Sequence, residues 1–93
     1  MPDLDVPDTA PDADPDRTVD NRGRGCANGI VRVQRALEDL PPGSVLEIHS
    51  TDRRATTEYP KLAAETPHEL LAVVESRWRV LRKQYTTYLE IHE

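Results

Sequence analysis

Thr18-Val19-Asp20-Asn21-Arg22-Gly23-Arg24-Gly25-Cys26 leads through Ala27-Asn28-Gly29 into an amphipathic stretch from Ile30 to Leu40. Thr18 to Asn21 is short and compatible with a first strand. Two glycines within Arg22 to Gly25 disfavour either regular state and mark a turn. Beyond it Ile30, Val33, Ala36, Leu37 and Leu40 recur at helical spacing on one face, with Arg32, Arg35 and Asp39 on the other. Strand, turn and helix in this order put Cys26 where the helix begins. A thiol there meets unpaired backbone N–H groups and the positive end of the helix dipole. That setting favours the thiolate, which is the reactive form.

The remaining punctuation supplies the other elements. Pro41-Pro42-Gly43 stops the first helix, because proline cannot continue it and disfavours helix in the residue before. Val45 to Ser50 reads as a strand, central in the sheet, and Thr51-Asp52 caps the turn that follows. Ala55 to Glu65 has a helical pattern, with Tyr59, Leu62 and Ala63 on one side. Pro60 lies inside it, so the regular helix is expected to begin near Tyr59, with Pro60 in its first turn. Pro67 marks the exit. His68 to Glu93 contains no glycine or proline, yet Val73, Val74, Trp78, Val80, Tyr85, Thr86, Thr87, Tyr88 and Ile91 are β-formers. The expectation is a hairpin, Leu70 to about Arg82 and Tyr85 to His92, turning near Lys83-Gln84. The order β-α-β-α-β-β predicts an α+β fold: a two-layer α/β sandwich whose four-stranded mixed sheet carries two helices on one face.

Composition bounds the function classes. The 93 residues suit one small domain with a thin core, built mostly from Val, Leu and Ile because there is no Phe. The net charge of −5 is unevenly spread. Residues 1–16 hold six Asp, four Pro and no base, and are expected to form a disordered acidic tail, with residues 17–93 as the folded domain. That domain holds 11 acids against 12 bases, which argues against direct nucleic-acid binding. A single cysteine excludes an internal disulfide and fits a reducing compartment. No apolar run approaches the ~20 residues of a membrane span. The expectation is a cytoplasmic monomer that needs no cofactor and does not engage membranes.

Asp20-x-x-Gly23-x-x-Cys26, Pro42-Gly43-x-Val45-Leu46-Glu47-Ile48, Thr51-Asp52, Pro60 and Thr66-x-His68-Glu69-Leu70-Leu71 resemble, without gaps from Asp20 to about Leu71, the TusA/SirA-like family of sulfur carriers. The resemblance implies the same β-α-β-α-β-β sandwich and a persulfide carried on Cys26. It implies a sulfur-donor protein, a cysteine desulfurase or a rhodanese-like enzyme, and a downstream acceptor protein. The destinations it implies are tRNA thiolation, cofactor assembly or sulfur metabolism. Two departures stand out. The family pattern at the cysteine is Cys-Pro-x-Pro, whereas this chain reads Cys26-Ala27-Asn28-Gly29. Gly29 adds a local entropy cost of roughly 0.5–1 kcal/mol relative to Ala, so a looser cysteine loop is expected. The final hairpin is also longer than the family's, and Trp78 and Arg79 have no counterpart in it.

The candidate catalytic residue is therefore Cys26. Arg22, Arg24, Asn28 and Arg32 are the candidate substrate- and partner-binding residues, placed to stabilise a persulfide anion or attract an acidic partner. The plainer alternative is that these arginines solvate a loop and a helix face. The absence of a second cysteine suits a relay that hands sulfur to another protein. Two other readings compete: an interaction module of the same fold with a degenerate motif, and a thiol redox sensor. His49, His68 and His92 with Cys26 fit no compact ligand spacing, so no metal site is expected. Asp52 and Glu58 are read as a turn cap and a dipole-complementing acid rather than a catalytic pair. His68 is read as a structural residue at a strand entry.

Overall fold

Val19 and Asn21 face the same way from a five-residue strand, β1 (Arg17–Asn21), and both are buried beneath the first helix. The computed structural model describes residues 14–23, 25–77 and 83–92. After β1 come α1 (Cys26–Asp39), β2 (Val45–Ser50), α2 (Ala55–Ala64), β3 (Glu69–Arg77) and β4 (Lys83–Glu90). The sheet runs β1-β2-β4-β3, with β1 parallel to β2 and the other pairs antiparallel. This is the mixed four-stranded α+β sandwich that the sequence predicts, and β2 is a central strand as expected.

The core follows the two periodicities. Along β2, Leu46, Ile48 and Ser50 are buried on the helix side, while Glu47 and His49 alternate to the other face. From α1 the apolar stripe delivers Val33, Ala36 and Leu37, with Ile30 and Leu40 packed at its margins. From α2 come Ala55, Tyr59 and Ala63, and from β4 Tyr85 and Leu89. The residue before Pro41 is extended (Leu40 φ −99°, ψ 141°), which is how the double proline ends α1.

Three boundaries differ from the sequence reading or sharpen it. The turn of the hairpin does not fall at Lys83-Gln84. Both residues lie in β4, paired with Arg77 and Ser76, so the connection lies between 77 and 83. Cross-strand partners of that length override a local guess at two polar residues. Helix α2 begins at Ala55, not near Tyr59, so Pro60 sits in its interior rather than in its first turn. The helix starts early because Asp52 organises it: the Arg54 N–H donates to Asp52 Oδ1 (2.9 Å), and the Ala55 N–H to the Asp52 carbonyl (3.0 Å). Finally, Asp16 pairs with the sheet. Its N–H donates to the Val45 carbonyl (2.8 Å) while its Oδ2 accepts from the Val45 N–H (2.8 Å). Of the acidic segment 1–16, residues 1–13 lie outside the described residues, as do Trp78 and Arg79.

Ile91 joins Asp16 at the start of β2. There the Gly43 N–H donates to the Ile91 carbonyl (2.7 Å) and the Ile91 N–H to the Ser44 carbonyl (2.8 Å). Gly43 turns with φ +90°, a conformation that favours glycine. Among the described residues, no helix is long and apolar enough to cross a membrane.

Candidate functional site

The loop after β1 is tied down before the helix begins. Arg22 folds back on Asp20, its N–H and Nε donating to Oδ1 (3.1 and 2.9 Å) and Nη2 to Oδ2 (2.9 Å). Those bonds hold the Asp20 carboxyl well below the usual carboxylate range. Gly23 then turns with φ +80°, and its N–H donates to Thr51 Oγ1 (2.9 Å), lacing this loop to the one after β2. Asp20, Gly23 and the Thr51-Asp52 step thus lie together at one end of the sheet.

Cys26 is the first residue of α1, with Gly25 as the preceding N-cap. Gly25 offers no side-chain cap and the first turn holds no acid, so nothing anionic on these residues competes for the helix's positive end. The Gly29 N–H donates to the Gly25 carbonyl (3.0 Å), closing the turn that contains Cys26, Ala27 and Asn28. A proline at position 29 would lack that N–H. On the inner side, Asn21 Nδ2 donates both to the Gly29 carbonyl (3.1 Å) and to Tyr59 Oη (3.1 Å). The looseness expected of Gly29 is therefore countered by bonds at both its backbone polar groups.

The candidate binding residues separate. Arg22 lies in the loop, but its guanidinium is engaged by Asp20. Asn28 is exposed in the first turn of α1. Arg32 lies roughly 9 Å along the helix axis from Cys26. It lines a shallow groove with Arg17, Arg35 and Asp39 beside β1 rather than the helix start. Arg24 lies outside the described residues. Two residues that the sequence reading did not attach to the site, Asn21 and Tyr59, are buried directly beneath it. The signal available for Asn21 was a polar residue on the inward side of a strand, two positions after Val19.

The histidines take structural places. His49 Nε2 lies 2.8 Å from Glu47 Oε1, and its Nδ1 lies 2.7 Å from Gln84 Nε2. His68 precedes β3, and its Nδ1 accepts from the His92 N–H (3.1 Å). Burial, with His92 nearby, pushes the His68 pKa down, in keeping with a ring nitrogen that must stay unprotonated to accept. His92 lies with Glu69 and Glu90 in a trio of potential ligand groups whose candidate atoms fall within 4.8 Å of one another. That trio lies at the end of the sheet remote from Cys26.

Residues 17–83 match the family model described as Sulfurtransferase TusA. Among curated relatives, YrkF of Bacillus subtilis is 38% identical over 64 residues, covering 69% of this chain and 34% of that protein. YrkI of the same organism is 34% identical over 56 residues, covering 60% and 75% respectively. The sulfur carrier protein TusA of Pseudomonas fluorescens is 32% identical over 56 residues, covering 60% of this chain and 68% of its own length.

Proposed function

This chain belongs to the TusA sulfurtransferase family, and from that premise we propose that it is a sulfur carrier that holds a persulfide on Cys26. The observation that supports this reading most is the position of Cys26 as the first residue of α1, within the family-matched segment and after a pinned loop. Two protein partners follow from such a role, a sulfur donor and an acceptor. The Cys26 thiolate attacks the outer sulfur of a donor persulfide. The donor S–S bond breaks, its inner sulfur leaves as a thiolate, and Cys26 becomes Cys–S–SH. In the second half the acceptor's thiolate takes that outer sulfur, and the Cys26 thiolate is regenerated. No net oxidation occurs in either exchange. The helix N-terminus stabilises the anionic sulfur at each stage.

Incubating the protein with a cysteine desulfurase and cysteine, or with a rhodanese and thiosulfate, tests the reading by intact mass. The wild type is expected to gain one sulfur atom that reduction removes, and Cys26→Ser to gain none. Absence of any gain with either donor would leave the interaction module of the same fold.

A further inference from the structure

Gly29 is buried against two side chains that leave no room for one of its own. A Cβ built there would lie 2.9 Å from Asn21 Nδ2, 2.9 Å from Tyr59 Oη and 3.3 Å from Asn21 Cγ. Asn21 and Tyr59 are each only 1% exposed, so neither can swing out to solvent. The Asn21 amide is oriented by its partners: a carbonyl and a phenol oxygen both face Nδ2, and only the NH₂ group can donate to the carbonyl. Its Oδ1 is buried and takes no hydrogen bond among the described residues. Such an orphaned acceptor is costly, and a polar side chain kept there at that cost calls for a reason.

We propose that Asn21, anchored on Tyr59, is a positioning residue for Cys26, gripping the Gly29 carbonyl and so fixing the first turn of α1. This inference rests on the reading of Cys26 as the reactive thiol. The turn spans Gly25 to Gly29, and Cys26 is its first helical residue. One end is fixed by the pinned Gly23 loop and the other by the Asn21 amide. The direction of the first N–H groups, and hence the field at residue 26, depends on both ends. Gly29 and Asn21 form a matched pair, because any side chain at 29, a prolyl ring included, needs the space that the Asn21 amide fills. A side-chain-to-backbone clamp here fixes a turn in which the family pattern has its second proline.

The test is the pH profile of Cys26 alkylation by iodoacetamide, measured alongside thermal melts. Asn21→Ala is expected to raise the thiol's midpoint by about half a pH unit, slowing alkylation at pH 7 roughly threefold. Tyr59→Phe, which removes only the anchoring hydroxyl, is expected to shift it in the same direction and carries the test should Asn21→Ala not fold. Gly29→Ala alone is expected to lower the melting temperature by roughly 5–15 °C, and the double variant with Asn21→Ala to recover part of that loss. Folded Asn21 and Tyr59 variants with the wild-type profile overturn the proposal, as does a double variant whose losses simply add. Sulfur loading distinguishes the two readings. Failure of the wild type to load, with a shifted Asn21 profile, removes the carrier role but leaves the positioning role. Normal loading with unshifted profiles does the reverse.

Discussion

At the scale of single residues, the Asp20–Arg22 pair sets the acid behaviour of the loop that precedes Cys26. Hydrogen bonds from Arg22 stabilise the ionised carboxylate, so the folded pKa of Asp20 lies below the unfolded value of about 3.9. A group depressed in this way contributes above its unfolded pKa, and its contribution is lost as pH falls through the folded value. The Asp20 carboxyl is therefore expected to titrate below the ordinary aspartate range by carbon NMR. Arg22→Ala should return it to the ordinary range while changing the melting temperature little, because both partners face solvent. A titration at the ordinary position in the wild type would contradict the loop geometry. The place of Cys26 at the start of α1 was legible at this scale because glycines, a helical stripe and an ordered motif all converge on it. Asn21 was not, since alternation along a strand says which residues turn inward but not what an inward amide will meet eight residues later.

At the scale of elements, α2 poses a question that its sequence answers only partly. Pro60 lies in the helix interior and has no N–H to donate to the Thr56 carbonyl. An interior proline costs ~3 kcal/mol, partly offset by the reduced freedom of the unfolded chain. Pro60→Ala is accordingly expected to stabilise the protein by about 1–2 kcal/mol in urea unfolding, and a loss of stability would show that the proline itself shapes the packing of Tyr59. The early start of α2 runs against the sequence reading because Pro60 argues for a first-turn place, whereas the bonds from Arg54 and Ala55 to Asp52 set the start five residues before it. The hairpin connection escaped it for a related reason. Tyr85 to Ile91 advertise a strand by composition, but register is set by partners on β2 and β3 that local propensity does not see. Helix α1 was the easiest element to read, bounded by glycines before and prolines after.

At the scale of the whole molecule, His68 joins the two ends of the C-terminal hairpin. Its Nδ1 accepts the His92 N–H, and burial lowers its pKa below the usual 6.5. The neutral ring is the form the fold prefers, so its contribution is present above about pH 6.5 and declines as pH falls through the lower folded value. Amide protection at His92 is expected to fall between pH 7 and pH 5 while that of Leu46, in the centre of the sheet, does not. His68→Asn should remove that pH step. A pH-independent His92 amide would mean that the bond is not the tie it resembles.

The meeting of Asp16 and Ile91 at the start of β2 bears on how this fold can be handled and strung together. Both ways into the domain open beside Ser44 and Val45, and β1 and β2 carry the chain about 16 Å from there to the end that holds Cys26. A linker that starts from residue 16 or residue 92 therefore starts at the end of the sheet remote from residue 26.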